Sequence, residues 1–292
     1  MPSSAAKRLR CIQRSADRHW VGDGFPVRTL LAYPALGPVI DPFLLLDYAG
    51  PMEFPPTSER RGVGEHPHRG FETVTIVHAG EVEHRDSSGG GGRIGPGDVQ
   101  WMTAAAGLVH EEFHGREFAR RGGLFEMVQL WVNLPARHKL APPGYQPITA
   151  REIPEVALPG AGGRARVIAG ELLGAKGPAR TFTPIHVWEL RPAGDARTEL
   201  AVPDGFTTAL VVLRGSLRAN GSEAIGAAEV GIFDRAGEAI SIDGAAGAVA
   251  LLLCGEPIGE PIVGQGPFVM NRREEILRAI ADYQAGRMGR LG

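Results

Sequence analysis

Cysteine is nearly missing from this chain. Cys11 and Cys254 lie far apart in sequence and form neither a Cys-x-x-Cys metal pair nor a disulfide framework, which points to a reducing compartment. No apolar run approaches the ~18 residues of a membrane span, and the opening stretch MPSSAAKRLRCIQRSADRHW has no apolar signal-peptide core. A cytoplasmic location without membrane contact is expected. Excess charge is missing too: the net value is −2, which argues against a basic footprint and against direct nucleic-acid binding. What the chain has in quantity is punctuation. Its 41 Gly and 23 Pro, with an apolar fraction of 43%, suit many short strands better than long helices. A length of 292 residues is comfortable for two domains and buries a core without outside staples.

Taken in order, residues 1–20 are polar and basic, with Lys7, Arg8 and Arg10 on a solvated edge strand or arm. Between Phe25 and Leu46 short apolar runs broken by Pro34, Gly37 and Pro38 predict strands and loops. A strand is predicted to run from the His-Pro-His segment through Val77 to a turn at Gly80. Strands over 81–86, 93–94, 99–103 and 124–132 follow, with Gly95-Pro96-Gly97-Asp98 as a turn. The glycines at 89–92 are a hairpin loop and not a phosphate loop, because no Lys-Ser/Thr follows and no helix opens. The Pro-rich stretch 136–163 reads as a linker, after which the β pattern resumes. Strands at this density mean an all-β sandwich or barrel. At the far end Asn271 with Glu274 predicts a capping box. Ile276, Leu277, Ile280 and Tyr283 then continue as an amphipathic helix that Gly286 stops and that packs on a barrel.

The chemistry concentrates in His66-Pro67-His68-Arg69-Gly70-Phe71-Glu72 and in Leu108-Val109-His110-Glu111-Glu112. Alternate side chains of a strand share a face, so His66 and His68 can aim at one point, as can His110 and Glu112. Imidazoles converging inside a barrel need partners, and three with one carboxylate suit a divalent first-row transition metal. The fourth ligand is open on parity alone. Glu72 matches His66 and His68 if Pro67 and Gly70 leave the strand unbroken, and His114 matches His110 and Glu112. Lone histidines His19, His84, His138 and His186 are read as structural.

An internal repeat shapes the architecture. HPHRGFETVTIVHAG from His66 lies over AVPDGFTTALVVLRG from Ala201 at an offset of 135, sharing Gly-Phe-x-Thr and the closing Gly. His66 then falls on Ala201, His68 on Pro203 and Glu72 on Thr207. Two copies of one fold are expected, with the metal kept only in the first.

The stretches RHWVGDGFPVRTL, HPHRGFETVT, EHRDS with its glycine loop, PGDVQWMTA, GLVHEE, QLWVNLPA and GPFVMN with REEI and AIADYQ together resemble the pirin family of the cupin superfamily, over most of the chain. The resemblance implies two cupin-type jelly-roll β-barrels in tandem with a short C-terminal α-helix. A metal-binding domain over 1–140 and a ligand-free domain over 141–292 that carries the helix are expected. It implies one metal held by His66, His68, His110 and Glu112, whereas the usual cupin pattern would recruit Glu72. His78 and His114 depart from the family pattern. Fe(II) is the expected metal, ahead of Ni, Co, Cu or Mn. Bacterial members are associated with quercetinase activity, which implies a flavonol and O2 as substrates and Glu112 as catalytic base, with Glu72 in reserve. Animal members are described as iron-dependent transcriptional cofactors and some bacterial ones as metabolic regulators. A non-enzymatic module with a regulatory protein partner is therefore the alternative.

Overall fold

The computed structural model describes residues 5–15, 17–244 and 246–292, with the backbone alone at Asp195; residues 1–4 and Ala16 of the basic arm lie outside the described residues. Contacts divide the chain into two compact units. One comprises Met1–Ala16, Leu30–Pro42 and Arg151–Pro257, and the other Asp17–Thr29, Phe43–Ala150 and Ile258–Gly292.

Each unit is a cupin-type pair of antiparallel sheets, and the two follow the same plan. In the His-bearing unit a seven-stranded sheet runs in the order Gly144–Ile148, Val99–Thr103, Phe71–Ala79, Gly123–Asn133, Phe43–Phe54, Phe25–Ala32, His19–Val21. A four-stranded sheet runs Gly62–His68, Leu108–His114, Val82–Asp86, Gly91–Ile94. The other unit repeats this with Leu9–Arg14, Glu229–Phe233, Thr207–Arg214, Val249–Gly255, Ile185–Arg191, Arg164–Ala169, Glu155–Ala157 and the small sheet Gly194–Ala201, Ala239–Gly244, Ser216–Ala219, Ala224–Gly226. Alternation along the strands drives inward-facing side chains into a core in each unit, such as Phe25, Val77 and Phe125 in the first and Trp188, Leu210, Ile240 and Leu252 in the second.

The repeat is visible in the backbone. Gly70 and Gly205, then Gly80 and Gly215, all have positive φ (+91°, +79°, +84° and +74°), so the shared glycines mark turns that side chains resist. At Gly70 a Cβ would also lie 2.0 Å from the Val269 carbonyl oxygen.

Three expectations are corrected here. A single cut near 140 does not describe the units, because strand Leu9–Arg14 pairs with Glu229–Phe233 while the C-terminal segment belongs to the His-bearing unit. The stretch 136–163 is more than a linker: Gly144–Ile148 pairs with Val99–Thr103 and Glu155–Ala157 with Arg164–Ala169. Lys7 is buried, not solvated, and its Nζ donates to the carbonyls of Phe206 and Arg235, although Arg8 and Arg14 do make exposed ion pairs with Asp234 and Glu229.

The C-terminal helix spans Arg273–Gln284. Its cap lies one residue later than expected: Glu275 reaches back to accept from the backbone N–H groups of Arg272 (2.9 Å) and Asn271 (3.0 Å). Ile276 and Ala279 bury against Val109, Phe268 and Met270, so the helix braces the strand that carries His110. No helix among the described residues is long and apolar enough to cross a membrane.

Lys139 ties this corner together, its buried Nζ donating to Asn133 Oδ1 and Gly70 O (both 2.7 Å) and Val269 O (3.0 Å). Lys139→Met leaves three buried acceptors without that donor and is expected to lower unfolding stability by about 3 kcal/mol, read from the urea midpoint at unchanged slope.

Candidate metal centre

Strand Leu108–His114 is the middle of the site. It pairs with Gly62–His68 on one side and Val82–Asp86 on the other. His110 lies opposite both His66 and Asp86, and Glu112 opposite His84. A bulge between His110 and Glu112 shifts the register, so that Glu112 pairs with Val63 rather than Gly64, and re-aims the facing side chains. Ligand-capable atoms of His66, His68 and His110 lie within 4.8 Å of one another, as do those of His84, His110 and Glu112, and His110 belongs to both groups.

Hydrogen-bond direction decides what each ring offers. A carbonyl oxygen only accepts, so His66 Nδ1 donates to Gly64 O (2.8 Å) and His68 Nδ1 to Pro267 O (3.3 Å), and each Nε2 is left as a bare lone pair. His110 reaches the same state through a chain. Burial alone would raise the Asp86 carboxyl, yet hydrogen bonds from His84, from the Ser88 hydroxyl and from the Ser88 and Gly90 amides hold it down at about 2. This carboxylate accepts from His84 Nε2 at 3.0 Å, which leaves His84 Nδ1 to accept from His110 Nδ1 at 3.3 Å. His110 Nε2 is then bare, and it is buried with no hydrogen-bond partner among the described residues.

Electrostatics agree with the tautomers. Burial and the neighbouring His66 push His68 down to about 3, and burial with His68 and His66 holds His110 well below its ordinary value. These rings stay neutral and ready to ligate. Glu112 is anchored on both oxygens: Gln100 Nε2 and Thr75 Oγ1 (3.5 Å) donate to Oε1, and Gln129 Nε2 donates to Oε2 at 2.9 Å. Tyr145 stacks on His84, with ring centroids 4.9 Å apart and planes 8° apart, and donates to Gln100 Oε1 at 3.2 Å. Burial, with the charges of Glu112 and Asp86, holds its phenol protonated. Three bare imidazole nitrogens, that of His110 buried without a partner among the described residues, and an anchored carboxylate fit a divalent transition metal.

Several sequence expectations meet this geometry. His66, His68, His110 and Glu112 are brought into one neighbourhood. Glu72 is not, because Gly70 breaks the expected continuous strand into Gly62–His68 and Phe71–Ala79 and inverts the parity beyond it. Thr75, which contacts Glu112, therefore faces the site, while Glu72 takes the opposite face and accepts from Thr103 Oγ1 at 2.7 Å. His114 packs among Phe25, Phe54, Phe118 and Phe125 and bonds Gly24 O at 2.8 Å, a satisfied core histidine. His78 belongs to neither metal-capable group. His84, read as structural, stands at the centre of the network. The signal for it was His84-x-Asp86, which shares strand parity just as His110-x-Glu112 does.

Fold and site together define a two-barrel cupin protein whose metal-capable His/Glu cluster lies, among the described residues, in one barrel. Comparison with known proteins carries this further. The Pirin family model matches residues 24–132 and the model described as "Pirin C-terminal cupin domain" matches residues 187–289, so the chain belongs to the pirin family. It is 55% identical over 281 residues to the Pseudomonas aeruginosa protein named "Putative quercetin 2,3-dioxygenase", covering 96% of this chain and 98% of that protein. A crystal structure of quercetin 2,3-dioxygenase from Acinetobacter baumannii superposes with a TM-score of 0.95 at 52% identity, over 98% of this chain and 99% of that one. A bacterial pirin from Escherichia coli, solved in complex with nickel(II), shares the fold at a TM-score of 0.64 and 17% identity, over 85% of this chain and 99% of that one.

Burial raises the Glu72 carboxyl to about 7, against the Thr103 hydroxyl and the Trp101 indole, which favour the charged form. Between 4.5 and 7 the unfolded chain has lost this proton while the folded chain keeps it, so the group costs stability as pH rises through that window and the cost is constant above it. Glu72→Gln is accordingly expected to gain on the wild type by on the order of 3 kcal/mol between about pH 4.5 and about pH 8, measured by urea unfolding of both proteins.

Proposed function

We propose that this chain is a metal-dependent dioxygenase of the quercetinase type, opening a flavonol ring with O2 at a mononuclear site formed by His66, His68, His110 and Glu112. The observation that carries the proposal is the donor set: three imidazoles in the tautomer that bares Nε2, beside a carboxylate fixed on both oxygens. The substrate class is taken from the names of the relatives. Fe(II) is the first choice of metal, ahead of Ni, Co, Cu or Mn, which such a set also accepts.

When bound, the metal supplies Lewis acidity that lowers the pKa of the flavonol 3-hydroxyl. The residues supply the rest. Glu112 accepts the hydroxyl proton as general base, and Gln100, Thr75 and Gln129 keep its oxygens in place for that transfer. Tyr145, kept protonated, holds the Gln100 amide so that its NH2 faces Glu112. Asp86 and His84 hold the His110 ring, the orienting role that partners of ligating histidines perform. Trp131, partly exposed beside His68 and backed by the buried Phe71 at 4.3 Å between centroids, gives a planar aromatic substrate an apolar surface. His66 is the most exposed of the four, so substrate enters past it.

A regulatory reading has one observation in its favour. On the small sheet a groove of about 440 Å³ is lined by Arg60, Arg85, Arg93 and Arg116, each ion-paired with Glu111, Glu81 or Glu83, a charged surface suited to a polar protein partner.

Oxygen uptake by metal-quantified protein on a panel of flavonols separates the two readings. Glu112→Gln is expected to lower turnover per bound metal about a hundredfold to ten-thousandfold. His84→Phe keeps the stack on Tyr145 and is expected to weaken metal binding about tenfold to a hundredfold, whereas His68→Ala empties the site while the circular-dichroism melt survives. Loaded protein that consumes no oxygen with any flavonol would move the assignment to the regulatory module.

A further inference from the structure

Among the described residues the second barrel has no metal-capable cluster, and a cavity opens at its mouth. Strand Gly194–Ala201 sets Ala201 opposite Ala239, where the first barrel sets His66 opposite His110. The paired side chains that face the interior are Leu200 and Ile240, both buried in the core, while Ala201 is exposed, and in the sequence register Pro203 falls on His68. Deeper in, the polar pair Thr75 and Gln129 becomes Leu210 and Leu252, so the interior is closed by leucine and only the mouth stays open. The opening is a cavity of about 540 Å³, within the range of small-molecule sites.

Its walls and rim differ in chemistry. Trp188, Leu200, Val202 and Pro203 make an apolar wall, and Glu199, Asp204 and Glu238 stand at the rim. Glu171, also on the rim, faces Lys176 across its own hairpin. Glu199 and Glu238 have no ion-pair partner among the described residues, Asp204 accepts from the Gly237 amide at 2.7 Å, and no Lys or Arg lines the cavity. Independently of these acids, Trp188 is 1% exposed and its indole Nε1–H has no acceptor among the described residues. Buried indole N–H groups ordinarily find one, so the wall holds a donor waiting for a ligand oxygen.

We propose that the mouth of the second barrel binds an organic ammonium compound with an aromatic body and an oxygen acceptor. The ammonium group sits among the rim carboxylates, whose field excludes anions. The aromatic body lies against Trp188 and the apolar wall, and its oxygen accepts from Trp188 Nε1. This site is separate from the chemistry proposed for His66, His68, His110 and Glu112 and does not depend on it.

Three probes with one ring system test it by calorimetric titration of the full, metal-loaded chain: methoxynaphthylethylammonium, naphthylethylammonium and methoxynaphthylacetate. The first is expected to bind one per chain, about tenfold tighter than the second, and the acetate not to bind. Glu199→Gln with Glu238→Gln, both on exposed residues, is expected to weaken the first probe at least tenfold. Trp188→Phe is expected to erase the preference for the methoxy group, and His68→Ala to leave all three affinities unchanged. Absence of ammonium binding overturns the proposal, as does equal binding of the acetate, full affinity in the carboxylate variant, or loss of binding in His68→Ala.

Discussion

The metal centre depends on the direction in which a few hydrogen bonds run. Histidine can ligate through either ring nitrogen, and an unconstrained ring populates both tautomers. Here each ring is committed: Gly64 and Pro267 carbonyls fix His66 and His68, and the charged Asp86 fixes His84, which in turn fixes His110. The result is three bare Nε2 atoms in one place. Neutral rings without that commitment would offer lone pairs in some molecules and protons in others. Much of the surrounding architecture serves this commitment. The Asp86 carboxylate must stay charged in a buried spot, and the turn after it provides the Ser88 and Gly90 donors that make this possible.

The second dependence is on chain ends meeting chain middles. Pro267, which orients His68, is 199 positions away in sequence. It is held by a segment that Arg69 and Lys139 grip from the barrel side, Arg69 through Asp282 at 2.7 Å and Lys139 through the Val269 carbonyl. The C-terminal helix is therefore a structural part of the His-bearing unit. The N-terminal strand plays the matching part in the other unit, where Leu9–Arg14 closes the edge of the large sheet.

The two barrels show how one fold carries two different interiors. A polar interior with histidines, Gln100, Thr75 and Gln129 is costly to bury unless every group is partnered, and in the first barrel the partnering is nearly complete. The second barrel has Leu210 and Leu252 where the first has Thr75 and Gln129, with Leu200, Val202 and Ile240 filling its interior, and apolar burial stabilises it.

The sequence by itself determined the fold class, the repeat and the main donor residues. These signals are local: period-two patterning, glycines at matched positions, and His-x-His with His-x-Glu on strands. It also carried the pirin resemblance, because the motifs stand unbroken in the chain. Parity across Gly70 could not be read, since a single residue with positive φ inverts every side chain after it, and Glu72 fell on the wrong face for that reason. Likewise His84 looked like any lone strand histidine, because its importance comes from lying opposite Glu112 and next to His110, a matter of strand pairing. Unit membership of the two termini was equally hidden. Which strand edge a terminal segment completes is decided by pairing between residues more than two hundred positions apart, as in Leu9 with Phe233, and only the tertiary structure contains that information.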